Sequence, residues 1–259
     1  MQDLAPTAGS AAPLGQDRPP SASRPGPALW DRGGGVHIAW RHDAPGTAIH
    51  VTPEGSVDAG RFSVWLDKIL HVLRTGATSD VPCGSCTACC TSAQFIHIAP
   101  DEVDALAMLP GELLFPAPRL PAGHVLMGYD ERGHCPMLID GACSIYECRP
   151  RTCRTYDCRV FAASGLELDD PAKSDINDRV RRWQFQLVDS TDRSNLDAVR
   201  SAAELLAELE PGFDATERTL AAIEIHDQFL GVDPDDGGCT AVAPNPESVR
   251  VTLRRRRGF

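Results

Sequence analysis

Cys83-Gly-Ser-Cys86-Thr-Ala-Cys89-Cys90 is the stretch on which the reading of this chain turns. Its small residues predict a loop or irregular turn, so its four sulfurs serve chemistry and not a regular element. Downstream, Cys135, Cys143, Cys148, Cys153 and Cys158 form a second arm. Nine of the ten cysteines thus lie between positions 83 and 158. A density this local means either crosslinking or metal binding. In the second arm, Val125–Tyr129 and Pro136–Ile139 read as short strands, and Asp140-Gly141 is a hairpin turn signal. An ideal two-residue hairpin there sets Leu138 opposite Cys143 and sends Cys135 to the other face. Either a bulge intervenes, or those two sulfurs serve different sites.

Compartment separates the two uses of sulfur. Residues 1–35 are rich in Pro, Ala, Gly and Ser, carry Asp3, and hold no apolar run of signal-peptide length. No window of the chain approaches a membrane span. The expectation is a cytoplasmic protein, where thiols stay reduced and clustered cysteines more often bind metal than pair as disulfides. Adjacent Cys89 and Cys90 also fit a disulfide framework poorly, since vicinal pairs rarely crosslink to each other.

Composition bounds the rest. With 259 residues and 42% hydrophobic content, one good core or two small ones can form. A formal charge of −11 argues against nucleic acid as a partner, because phosphate binding requires positive surface. The arginine run Arg254–Arg257 reads as a solvated terminal charge block. A protein partner or protein substrate is compatible with this surface; nucleic acid and membrane are not expected.

Working outward, residues 1–35 read as a disordered leader. Val36–Trp40 and Ala48–Val51 read as a hairpin. Arg61–Arg74 reads as a helix, since Phe62, Trp65, Leu66, Ile69, Leu70 and Leu73 share one face and Gly76 is placed to end it. A short helix is expected at Pro100–Leu109, followed by the proline-broken connector Phe115–Pro121. Beyond the cysteines, Ile176, Val180, Trp183 and Leu187 form one helical stripe, and Leu196, Val199, Ala203 and Leu206 another. Asp214 with Glu217 resembles a capping box ahead of Leu220, Ile223 and Phe229. Residues 233–259 read as a loop-like tail, with Cys239 a lone free thiol.

Thiolates are soft donors that suit Zn²⁺ or the irons of a cluster and disfavour Mg²⁺ or Ca²⁺. Cys83-x2-Cys86-x2-Cys89 begins like a bacterial ferredoxin run but departs at the next cysteine, which follows at once. It also lacks the Cys-x3-Cys-x2-Cys spacing of radical enzymes that bind S-adenosylmethionine through a cluster. Histidines at zinc-finger spacing are missing, leaving His97 and His134 as candidate substitutes. Side chains of adjacent residues point apart in extended chain, so Cys89 and Cys90 suggest two neighbouring sites or one cluster approached from two sides. Arg149, Arg151, Arg154 and Arg159 interleave with the last cysteines and are placed to offset the negative charge of ligated thiolates.

The opening CGSCTACC, with HCPMLIDGACSIYECRPRTCRTYDCR after it, resembles the zinc- or iron-chelating cysteine-cluster (CxxCxxCC, YkgJ-type) family, to which flagellin lysine N-methylase is related. The resemblance spans about Cys83 to Cys158. It implies eight metal-ligand cysteines, which here are Cys83, Cys86, Cys89, Cys90, Cys135, Cys143, Cys153 and Cys158, with Cys148 a spare thiol. The cofactor implied is zinc or an iron–sulfur cluster, a four-iron cluster favoured by the vicinal pair. The methylase branch would add S-adenosylmethionine and methyl transfer to protein lysine. Three readings stay open: a redox or structural metal protein, a cluster-dependent methyltransferase or oxidoreductase, and a zinc-stapled interaction module. The expected fold is α+β: a small irregular cysteine-rich domain with short hairpins at 81–165, preceded by a hairpin and helix at 36–80 and followed by a helical segment at 166–232.

Overall fold

The computed structural model describes residues 55–79, 81–232 and 238–257. The expected leader (1–35) and the hairpin at Val36–Val51 lie outside the described residues.

The architecture is α+β. It begins with strand β1 (Val57–Arg61) and helix α1 (Phe62–Thr75), followed across the first cysteine run by β2 (Ile96–Ile98) and α2 (Val103–Met108). Short strands β3 (Leu114–Pro116), β4 (Val125–Met127), β5 (Leu138–Ile139) and β6 (Ala142–Cys143) come next. Helices α3 (Arg151–Thr155), α4 (Arg159–Ser164) and α5 (Ser174–Arg182) lead to β7 (Trp183–Gln186). The chain then runs through α6 (Ser190–Leu209), α7 (Ala215–Ile225), β8 (Leu230–Val232), β9 (Cys239–Ala241) and α8 (Pro246–Arg257).

Three apolar clusters form, two of them joined along α6 into one helical assembly. In this larger assembly Phe62, Leu66 and Ile69 of α1 meet Phe161 of α4, Ile176 of α5 and Val199 of α6. It continues through Leu206, Ile225 and Phe229 to Val249 and Leu253 of α8. Each such side chain contributes about 1.5–3 kcal/mol when fully buried. The smaller assembly is built on the antiparallel sheet β2-β4-β3 and comprises Ile96, Ile98, Ala105, Leu109, Met127, Met137 and Ile145. The sulfur-bearing segments lie against both.

Helix α1 is where its spacing placed it, and Gly76 ends it in the left-handed conformation, φ 69°, with its N–H on Val72 O. The capping box of α7 forms, Asp214 Oδ1 accepting from Glu217 N at 2.8 Å and Glu217 Oε2 from Asp214 N at 3.1 Å. Several expectations are corrected. The short helix starts at Val103, not Pro100, and the proline-broken connector contributes edge strand β3. The stripe through Trp183 and Leu187 does not continue as helix: α5 stops at Arg182, and β7 pairs in parallel with β1. The tail is no loop either. Residues Cys239–Ala241 pair with Leu230–Val232, and α8 buries Val249 and Leu253 against α6 and α7. No helix among the described residues is long and apolar enough to cross a membrane.

Candidate metal centre

The first cysteine run is folded by its own backbone. Cys86 N donates to Cys83 O at 3.0 Å, a turn that Gly84 permits with φ 57°. Ala88–Cys90 then winds into a single 3-10 turn, with Cys90 N on Thr87 O at 2.7 Å and Ser92 Oγ on Ala88 O at 2.6 Å. Cys89 and Cys90 are not in extended chain: they sit on a tight turn, and both line the same cavity.

The second arm is tied to the first through backbone. Cys135 N donates to Cys90 O at 2.7 Å, and Ala93 N to Gly133 O at 2.8 Å. Asp140 and Gly141, with φ of 50° and 75°, make the two-residue turn, and Leu138 pairs with Cys143 as an ideal hairpin requires. There is no bulge, yet Cys135 does not diverge. Its carbonyl accepts from Leu138 N at 2.9 Å, so residues 135–138 are a turn and strand alternation does not reach back to it. Cys135, Cys143 and Cys153 all pack on the smaller core.

The outcome is a sulfur-lined cavity of 380 Å³. Cys83, Cys86, Cys89, Cys90, Cys135, Cys143 and Cys153 line it, together with Arg149, Tyr146 and Tyr156. Cys158, the eighth expected ligand, is outside that lining. Its sulfur packs toward the helical core and accepts a hydrogen bond from Trp183 Nε1 at 3.2 Å. Cys148, in the 3-10 turn Tyr146–Cys148, is also outside the lining, and Cys239 is remote on β9. All ten cysteines are free thiols.

Burial and crowding raise the pKa of Cys83, Cys89, Cys135, Cys153 and Cys158. Its neighbour Cys90 is the main cause that pushes Cys89 well above the ordinary thiol range, the residue itself being exposed on the cavity side. Burial, reinforced by Cys89, Cys135 and Cys143, pushes Cys153 up to about 12, with Arg149 opposing. Cys158 is pushed up to about 12 by burial, against the hydrogen bond from Trp183. Burial also raises Cys83 and Cys135, with neighbouring cysteines adding to it in each case. Cys89 adds to the rise at Cys83, Cys135, Cys153 and Cys158. Sulfurs held this close repel as thiolates unless a cation lies among them.

The donor set fits a thiophilic metal in kind and number, because seven soft sulfurs face one cavity. Two orphaned donors on the same wall, Arg149 Nη1 and Tyr156 OH, are buried without a hydrogen-bond partner and call for an acceptor there. The sulfurs surround the space without meeting at a point. Among the described residues, no three His, Cys, Asp or Glu donors are gathered at the spacing of a single ion.

The expected arginine cluster mostly disperses. Arg151 bonds Asp101 at 2.7 Å, Arg154 lies 3.9 Å from Glu102, and Arg159 is buried on Asp157 at 2.7 Å. Arg149 alone of the four lines the cavity, its guanidinium 3.7 Å from the centre of the Tyr146 ring. Arg179, which sequence did not single out, acts on Cys83 and lies over Trp183 at 4.3 Å. Neither candidate histidine is in the lining: His97 Nε2 is 2.9 Å from His124 Nδ1, and His134 accompanies Asp130 through its backbone. Tyr156 was missed as well. The available signal was its position between Cys153 and Cys158, a polar aromatic inside the ligand run.

A thiol-walled cavity thus lies between a small sheet and a helical core. Residues 82–177 match the CxxCxxCC family model, described as "Putative zinc- or iron-chelating domain". No curated protein and no solved structure matches the chain.

Proposed function

We propose that this chain is a cysteine-ligated metal protein whose cavity holds an iron–sulfur cluster in a redox or structural role. The observation that carries the reading is the ring of seven sulfurs around one cavity of 380 Å³. Its spread favours a polynuclear centre, since a cluster reaches ligands that a single ion cannot touch together. Cys83, Cys86, Cys89 and Cys90 would hold it from one side and Cys135, Cys143 and Cys153 from the other. Cys158 enters only if Trp183 gives up its hydrogen bond. When bound, an iron–sulfur cluster supplies one-electron transfer and zinc supplies a structural crosslink. Arg149 offsets negative charge at the wall, and the backbone bond from Cys135 to Cys90 keeps the two arms in register.

A zinc staple is the second reading. It is favoured by the size of the smaller core, whose seven buried apolar residues form little more than one layer. Structural zinc can contribute roughly 10–16 kcal/mol to a domain of this kind. In that case the protein would serve as a binding module for a protein partner.

Metal analysis and an absorption spectrum on anaerobically purified protein separate the two. Iron with broad absorbance near ~400 nm supports the cluster, and colourless protein with stoichiometric zinc supports the staple. Folded protein that takes up neither metal overturns both.

A further inference from the structure

We propose that Tyr156 and Arg149 are outer hydrogen-bond donors to the metal centre, the Tyr156 hydroxyl and Arg149 Nη1 each donating to a metal-bound thiolate or inorganic sulfur. This rests on the metal-binding reading above and extends it to residues that are not ligands.

Both side chains line the sulfur cavity. Each ends in a polar atom that is hidden from solvent and has no hydrogen-bond partner. Seven side-chain atoms among the described residues share that condition, and these two are the ones on cavity-lining residues. Buried polar groups in folded proteins almost always find a partner, and an unsatisfied one points to an absent water or ligand. The cavity wall carries seven cysteine sulfurs beside a few hydroxyl and amide groups such as Ser85, Thr87 and Gln94, and a thiolate in a metal centre accepts hydrogen bonds readily.

Neither residue is placed there by another polar demand. The Tyr156 ring packs on the helical core. Arg149 is anchored by stacking on Tyr146, which leaves its N–H groups to be used elsewhere. Of the neighbouring arginines, Arg151 is committed to Asp101 and Arg159 to Asp157, and Arg154 and Arg179 are outside the cavity lining. A centre of several thiolates is anionic, and a neutral hydroxyl with one guanidinium complements it without competing for the metal.

The test uses the full chain, made metal-free under anaerobic conditions, and Zn²⁺ in competition with a chromophoric chelator. Tyr156→Phe removes only the hydroxyl, and Arg149→Lys keeps the charge but loses the fork. Each should weaken Zn²⁺ binding by about 10–100-fold, whereas the exposed control Tyr129→Phe should not. Metal-free Tyr156→Phe should melt no lower than metal-free wild type, because the lost hydroxyl had no partner. That opposition, weaker metal with an undamaged apoprotein, is what a merely structural role would not produce. Unchanged Zn²⁺ affinity in Tyr156→Phe assigns the hydroxyl to water and overturns the proposal. An apoprotein that melts lower in step with its weaker binding overturns it too. Wild type that binds neither Zn²⁺ nor iron removes the underlying reading, an outcome visible before any variant is made.

Discussion

Asp157 is a buried carboxylate that ties three parts of the chain together. Its carboxylate accepts from Trp65 Nε1 at 3.1 Å, Ser79 Oγ at 3.0 Å and Arg159 Nη2 at 2.7 Å, with its side chain 1% exposed. It therefore joins α1, the approach to the first cysteine run and the start of α4. Asp157→Ala takes the carboxylate partner from the buried Arg159, leaving it Ala59 O, and should cost about 3–5 kcal/mol in urea unfolding; a cost below about 1 kcal/mol, the worth of an exposed pair, would contradict this account. Among the sulfurs the expectation is graded. Cys153→Ser and Cys86→Ser should each lower bound metal, whereas Cys148→Ser and Cys239→Ser should leave it unchanged by elemental analysis. Cys158→Ser is the informative variant, and retention of metal there would fit its place outside the cavity lining. The candidate ligands were legible in sequence because thiol density and spacing are local facts. The position of Cys158 was not, since it depends on the bend between α3 and α4 and on a tryptophan 25 residues on.

At the scale of elements, the start of α6 is the best-tied junction. Asp189 and Asp192 form its capping box, and Arg61, from the end of β1, bonds both carboxylates. Burial opposes the charge on Asp192, but hydrogen bonds from Ser63, Val188 and Arg61 outweigh it and hold the carboxyl down at about 2. A depressed folded value means stability present above the unfolded carboxylate range, near ~3.9, and lost as pH falls toward 2. Wild type should thus lose stability on acidification from about pH 5 to pH 2. Asp192→Asn should start less stable at pH 7 and lose less over that window. Equal slopes for the two proteins in thermal melts would remove Asp192 from the acid response. Element type was readable where one face was continuously apolar, as in α1. It failed at β7, where the helical period runs on through Trp183 but parallel pairing with β1 prevails. Helix α8 was hidden because its arginine-rich run offers only Val249 and Leu253, spaced i and i+4, to the core. Leu253→Ala should cost about 2–4 kcal/mol, measured by denaturant unfolding, if that helix is docked as described.

On the scale of the whole molecule, the two apolar assemblies differ in how much they need the centre. The helical one is self-sufficient, with Phe62, Phe161, Leu206, Ile223 and Val249 buried almost completely. The sheet assembly has no large buried aromatic, and sulfurs of Cys135, Cys143 and Cys153 complete its wall. Metal binding links to folding wherever the site exists only in the folded chain. Free metal at one hundred times Kd therefore adds about 2.7 kcal/mol, and that gain should fall on the sheet assembly. Chelation should then raise amide hydrogen exchange in β2, β4 and the β5–β6 hairpin, while α6 and α7 keep their protection. Because Cys135 N is bonded to Cys90 O, the first cysteine run should loosen together with the sheet and not with the helices. Exchange that rises uniformly across all elements would mean one cooperative unit, and exchange that does not change at all would mean the thiols are passengers on a fold that stands without them.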